Sequence, residues 1–301
     1  MYPYLQLLRL PTVFTAMADI FLGFSLTHGG LQPWPRFVAL LASSCGLYLA
    51  GMVFNDVFDV RQDTLERPGR PIPSGRVSLR AAILLGTVLM SAGVILAGFV
   101  SLLSLGVALL LVAAILGYDG VLKHTPAGPL AMGSCRFLNV MLGASGLAAG
   151  GLTTAAWEGF WTRPQLACAA GLGIYIVGVT LFARTEARPS NRGALLRAQA
   201  VMNCGLAVLI WLLLTWPGAV PSLVPLLLMA FAIITINRHA IAAVRDPMPQ
   251  RVQMAIKMSL LSLIMLDAAM ILWHTGNSLL ALGTASLVIP AMTLSRWIRM
   301  T

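Results

Sequence analysis

The stretch NDVFDVRQDTLERPGRPIPSG, residues 55–75, is the most polar passage in a chain that is otherwise oily. Its first twelve positions hold four of the ten acidic residues, Asp56, Asp59, Asp63 and Glu66, and arginines follow at once. On either side lie long apolar runs, and they decide the fold class. The 301 residues are 58% hydrophobic and 10% charged, with a mean hydropathy of +0.85. A soluble domain carries roughly 25% charged residues, so this surface faces lipid. A membrane span needs about 20 mostly apolar residues. Segments of that kind run near 10–28, 36–56, 79–100, 102–118, 129–150, 165–183, 195–216, 219–236, 253–274 and 277–295. This predicts an all-α polytopic membrane protein, a bundle of nine or ten transmembrane helices in a single domain, 1–301. The last segment is the open one, because Gly276 and Asn277 mark either a short turn or a loose tail.

A net charge of +10 invites a nucleic-acid reading, which its distribution opposes. If the first segment runs outward, only Arg36 and Arg163 of the 20 lysines and arginines fall in outer connections, and Arg136 alone lies within a span. The rest gather on one side, as the positive-inside rule requires of a cytoplasmic face. The expectation is an inner-membrane protein with a cytoplasmic N-terminus, no nucleic-acid partner and no cleavable signal peptide. The four cysteines, Cys45, Cys135, Cys168 and Cys204, lie in apolar segments without paired spacing and read as small buried hydrophobes. The polar inner loops fall near 57–78, 118–128, 184–197 and 237–252. The first and third follow the second and sixth apolar segments, an offset that hints at a duplicated helical unit.

If the second helix continues into its loop, Asp56, Asp59 and Asp63 fall at i, i+3 and i+7, on one face. Stacked carboxylates repel unless a cation sits among them, and carboxylate oxygens suit magnesium. Asn55 adds an amide at the rim. Arg67, Arg70, Arg76 and Arg80 offer planar forks suited to phosphate oxygens. Pro68, Pro71, Pro73 and Gly75 stiffen and turn the loop. The competing reading is a solvated loop whose acids merely pair with its arginines.

NDVFDVRQD followed by RPGRPIPSG closely resembles the first aspartate-rich motif of the UbiA superfamily of intramembrane prenyltransferases, NDxxDxxxD then RPxxSG. Wording of the chlorophyll synthase type is especially near. LFARTEARPSNRG (181–193) and SLLSLIMLDAAMILW (259–273) look most like the EboC branch. The resemblance implies an enzyme that ionises an isoprenoid diphosphate inside a helical bundle and passes the prenyl group to an acceptor. It implies Asn55, Asp56, Asp59 and Asp63 as magnesium ligands on the diphosphate, and Arg67 or Arg70 on phosphate oxygens. In YDGVLKH (118–124), Tyr118 and Lys123 match the Tyr and Lys that flank the diphosphate in the family. The partners implied are a prenyl diphosphate, an unknown small-molecule acceptor with a polar, hydroxylated group, and membrane lipid.

The other polar residues carry competing readings. Arg136 either pairs with Asp19 of the first helix or lines a cavity with it, and Asn139 stands where family members often carry a cavity-facing polar residue. Asp119 caps a helix or pairs with Lys123, and Asp267 is a buried hydrogen-bonding partner. The segment 182–193 departs from the family's second acidic motif. There Glu186 matches one acid, Ser190 and Val179 replace others, and Arg184, Arg188 and Arg192 add positive charge. Arginines can substitute for a second ion's charge on the diphosphate, with Glu186 as a remaining catalytic acid. Alternatively the chain binds or exports a lipid diphosphate without turning it over. A CDP-alcohol phosphotransferase is disfavoured, because YDGVLKH lacks the downstream aspartates in register.

Overall fold

A computed structural model describes residues 2–146, 163–184, 190–218 and 223–297. Its elements are helical throughout the described residues. Helix α1 (Tyr2–Leu8) and a 3-10 turn (Leu10–Thr12) lead into α2 (Val13–His28). Then come α3 (Trp34–Phe58), the short α4 (Val60–Glu66), α5 (Leu79–Val100) and α6 (Leu102–Gly117). A π turn (Tyr118–Leu122) precedes α7 (Gly128–Ala144) and α8 (Arg163–Ala183). Next are α9 (Arg192–Thr215), α10 (Leu223–Arg245), α11 (Pro249–Thr275), α12 (Ser278–Ser286) and α13 (Val288–Trp297). Among the described residues, nine helical stretches are long and apolar enough to cross a membrane, α12 and α13 counting together as the last. Helix α7 is shorter, with 17 residues, and packs inside the bundle against α2, α6 and α8.

The order of enclosure explains where a site can sit. The spans containing α2 and α11 are the most buried, whereas α6 and the α12–α13 pair are the least. Outward side chains such as Leu84, Phe99, Leu110, Phe231 and Leu282 are largely exposed and offer a hydrocarbon surface to lipid. Without a hydrophobic drive between helices in lipid, close backbone approach supplies the packing. A Cβ on Gly23 of α2 would stand 2.1 Å from the Val140 carbonyl oxygen of α7. No other residue fits that crossing, which brings Asp19 beside Arg136.

One expectation needs correction. The stretch 237–245, read as part of a loop, continues α10 to Arg245. Its polar residues serve helix contacts: Asn237 exchanges side-chain hydrogen bonds of 3.1 Å with Asn203 and accepts one of 3.0 Å from Gln199. After α11, of the two open alternatives, the structure has the short turn. Gly276 turns it at φ 67°, Asn277 caps α12 by accepting from the Leu280 N–H at 3.0 Å, and the helices continue to Trp297.

Candidate active site

The opening motif folds on a small apolar cluster of its own. Leu7, Val53, Ile72, Val77 and Ala82 are buried together under the loop. Ser74 donates through its hydroxyl to the Arg70 carbonyl at 2.6 Å, and Gly75 takes φ 73° to turn the chain back toward α5. These contacts fix the backbone around Arg70, whose side chain is 7% exposed. Helix α3 closes at Phe58 and α4 opens at Val60, yet the N–H groups of Asp59 and Asp63 still donate to Asn55 and Asp59 carbonyls at 3.0 and 2.9 Å.

The expected single face of three aspartates is therefore divided. Asp56 and Asp63 meet on one guanidinium, with Arg70 Nη1 3.4 Å from Asp56 Oδ1 and 2.6 Å from Asp63 Oδ2. Asp59 turns away and holds Lys123 Nζ. Asn55 donates to Asp119 Oδ1 at 2.8 Å, so Asp119 pairs with an amide and not with Lys123. The π turn makes this reach possible: the Lys123 N–H donates to the Tyr118 carbonyl at 2.9 Å, adding a residue to the turn that carries Tyr118, Asp119 and Lys123.

Sequence reasoning missed Arg9 as a site residue. It has left-handed backbone, φ 44° and ψ 46°, costly for a side chain bearing a Cβ. Thr12 clamps its carbonyl with an N–H at 3.0 Å and a hydroxyl at 2.8 Å, and its Nη2 lies 2.6 Å from Asp56 Oδ1. The available signal was a lone charge directly before Leu-Pro-Thr and a long apolar run, which was read as topology alone.

Behind this ring lies a cavity of about 360 Å³. Arg9, Asn55, Tyr118 and Asp119 line its loop end, and Leu111, Ile115, Ile176 and Val179 belong to its apolar walls. Asp19, Arg136 and Asn139 line it halfway along the helices. Both readings of Arg136 hold at once, since it also donates to Asp19 and to the Thr15 carbonyl, at 3.0 Å for the latter. Asn139 donates to Asp19 Oδ2 at 2.7 Å and accepts from Ser44 at 2.6 Å. Asp19 Oδ1 has no hydrogen-bond partner among the described residues. Asp267, expected to be a hydrogen-bonding partner, is fully buried, and both its oxygens lack a partner among the described residues.

The second loop contributes less that is described. Arg184 donates to the Thr125 carbonyl, tying α8 to the segment after the π turn. Glu186 and Arg188 lie outside the described residues. Ser190 is buried, and its N–H donates to the Pro247 carbonyl at 3.0 Å. Arg67 is exposed and stands apart from the ring, on a neighbouring chamber.

Whether the ring suits a divalent ion turns on its donors. Each of Asp56, Asp59, Asp63 and Asp119 makes its side-chain bonds through a single oxygen. An all-oxygen set of this kind fits a hard ion such as magnesium. Among the described residues no three acids, histidines or cysteines form a ready ligand shell, because Arg9, Arg70 and Lys123 hold the carboxylates. Metal binding would draw the aspartates off those cations.

An oily bundle enclosing a cavity capped by carboxylates and cations defines a polytopic membrane protein with a polar-headed, apolar-walled site. Residues 16–261 match the UbiA prenyltransferase family, and the chain belongs to it. It is similar to digeranylgeranylglyceryl phosphate synthase from Metallosphaera sedula, at 38% identity over 126 residues, covering 42% of this chain and 44% of that protein. The synthase of the same name from Sulfurisphaera tokodaii is 32% identical over 121 residues, 40% of this chain and 43% of its own. The matched stretch thus spans less than half the length of these curated relatives. Among solved structures, a UbiA homolog from Aeropyrum pernix K1 superposes with a TM-score of 0.69 at 18% identity, covering 86% of this chain and 97% of that one. A UbiA homolog from Archaeoglobus fulgidus bound to GPP and Mg2+ gives 0.59 at 13% identity, covering 89% and 99%. At these identities the structures speak for the fold.

Proposed function

We propose that this chain is a magnesium-dependent prenyltransferase of the inner membrane, moving a prenyl group from an isoprenoid diphosphate to a hydroxylated acceptor in lipid or specialised-metabolite synthesis. The carrying observation is the join between the charged ring and the apolar cavity, which suits an amphiphile with a polyanionic head. The Archaeoglobus neighbour bound to GPP and Mg2+ supports the donor, and the relatives' name, a glyceryl phosphate carrying prenyl groups, supports a polar acceptor. The bond from the allylic carbon to the diphosphate oxygen breaks, a bond to the acceptor oxygen forms, and pyrophosphate and the hydroxyl proton leave.

Asn55, Asp56, Asp59 and Asp63 would hold magnesium, which when bound supplies positive charge against the leaving diphosphate. Lys123, Arg70 and Arg9, which hold these aspartates here, would be free to meet phosphate oxygens, where charge develops, if the carboxylates held the ion. Tyr118 closes the cavity at the loop end, and Glu186, Arg184 and Arg188 serve the second loop's side of the diphosphate. The walls keep water from the cationic prenyl fragment, and Asn139 faces it from α7.

The test is pyrophosphate release by the purified chain from geranyl, farnesyl and geranylgeranyl diphosphates, with magnesium and a lipid extract as acceptor source. Release that chelation abolishes is expected. A second reading, a lipid-diphosphate binder without turnover, draws on the ion-paired aspartates and the acid-poor second loop. Tight donor binding with no pyrophosphate under any of these conditions would establish it in place of the first.

A further inference from the structure

Asp119 stands apart from the other acids at the loop end of the cavity. Asp56, Asp59 and Asp63 each hold a cation, whereas Asp119 makes no ion pair among the described residues. It is 8% exposed, and its Oδ1 accepts from Asn55 Nδ2 at 2.8 Å. Asn55 and Asp59, one turn apart at the end of α3, meet Asp119 and Lys123, the ends of a similar step in the π turn. Both partnerships span 64 residues, so the turn is set rung against rung with the helix end. The polarity of the rungs is opposite. Asn55 donates in the first, and Asp59 accepts in the second.

An asparagine amide has a donor end and an acceptor end of nearly equal size, and a half-turn about its last bond exchanges them. Only the oxygen serves a hard cation. The NH2 end, turned inward, would set its N–H dipoles against the ion. A carboxylate accepts and cannot donate, so Asp119 admits one of the two orientations. With Nδ2 tied there, Oδ1 is the end of Asn55 left for the ring. We infer that Asp119 is a positioning residue, which locks the Asn55 amide with its oxygen toward the ion and does not itself touch ion or substrate. The inference rests on the metal reading given above. Asp59 has to leave Lys123 to meet an ion, but Asn55 keeps Asp119 as it does so, because the two ends of the amide serve different partners.

The test measures Mn2+, an ion with the same preference for oxygen, on the full chain in neutral detergent with geranyl thiolodiphosphate as an unreactive donor analogue. Loss of the free Mn2+ signal in electron paramagnetic resonance reads binding without turnover. Asp119→Ala should weaken Mn2+ about ten- to a hundredfold, the usual effect of removing the group that orients a metal ligand. Asp119→Asn loses the same charge but keeps an oxygen for Asn55 Nδ2, so its affinity should stay within about threefold of the native chain. In an Asn55→Asp background either side-chain oxygen can meet the ion, and Asp119→Ala should then weaken binding less than about twofold. Thermal unfolding without metal checks that each variant is folded, and Asp119→Leu, close to aspartate in shape, replaces Asp119→Ala if that variant is not. Equal losses in Asp119→Ala and Asp119→Asn would overturn the inference by making charge the whole contribution. A full loss from Asp119→Ala in the Asn55→Asp background would overturn it by making Asp119 a ligand. A native chain that binds no Mn2+ would sink the metal reading and the inference together, whereas native binding left unchanged by Asp119→Ala would sink the inference alone.

Discussion

Helices α3 and α5 approach each other through Gly46 and Gly93, as α8 and α9 do through Gly171 and Gly205. A Cβ on Gly93 would stand 2.9 Å from the Ser43 carbonyl oxygen, and one on Gly205 would stand 2.5 Å from that of Gly171. Each pair is joined by a polar loop at the same end of the bundle. The loops then diverge. At the end of α3 and just beyond it stand three aspartates, each holding a cation, with Arg70 buried among them. At the second loop, Val179 of α8 adds an apolar wall, Arg184 reaches across to the Thr125 carbonyl, and Ser190 sits buried. Backbone proximity sets the packing of both pairs and leaves the loop chemistry free to change. Among the described residues, the concentrated charge lies at the loop of the first pair.

The sharpest way to break that contrast is to exchange acids between the loops. Asp59→Asn should lower pyrophosphate release about a hundred- to a thousandfold, as removal of a charge-stabilising group does elsewhere. Ser190→Asp should change it less than about threefold, under about 0.7 kcal/mol of barrier. Equal effects would mean that the second loop still carries a metal site. The cations come next, read by thermal unfolding in detergent. Arg70→Met strands the buried carboxylate of Asp63, while Asp56 keeps Arg9, and should cost about 3 kcal/mol, whereas exposed Arg184→Met should cost under about 0.5 kcal/mol. Gly93→Leu and Gly205→Leu should each destabilise by about 1–3 kcal/mol through overpacking. A loss confined to one of them would end the likeness between the pairs. Between the other two spans the effect is small, and Asn237→Ala should cost about 0.6 kcal/mol by removing polar contacts between α10 and α9.

Much of the architecture was legible in the sequence because hydrocarbon imposes a long, uniform apolar signature on each span. The boundaries failed where polar residues face a neighbouring helix instead of water. Asn237 and His239 looked like a loop, yet Asn237 bonds to Gln199 and Asn203, and His239 to the Thr235 carbonyl one turn back. The ring itself was foreseen as residue types: Asn55, Asp56, Asp59, Asp63, Arg70, Tyr118 and Lys123 all gather at one end of the bundle. Their pairing was not, since spacing along a helix says nothing of which cation arrives from a distant segment. Arg9 comes from 47 residues before Asp56, and Lys123 from 64 beyond Asp59.

The ion pair between Asp19 and Arg136 has a consequence for how the chain is made. Its members are 117 residues apart, on α2 and on α7. A lone charged side chain at mid-bilayer costs about 2.5–3.5 kcal/mol on insertion scales. While the ribosome works through the intervening segments, α2 must wait at the translocon or beside an insertase with its carboxylate unmatched. Asp267 on α11, within electrostatic reach of both, arrives later still. The tempo of synthesis thus governs the yield of inserted protein, and slowing elongation between α2 and α7 should lower that yield more than the same delay after α11.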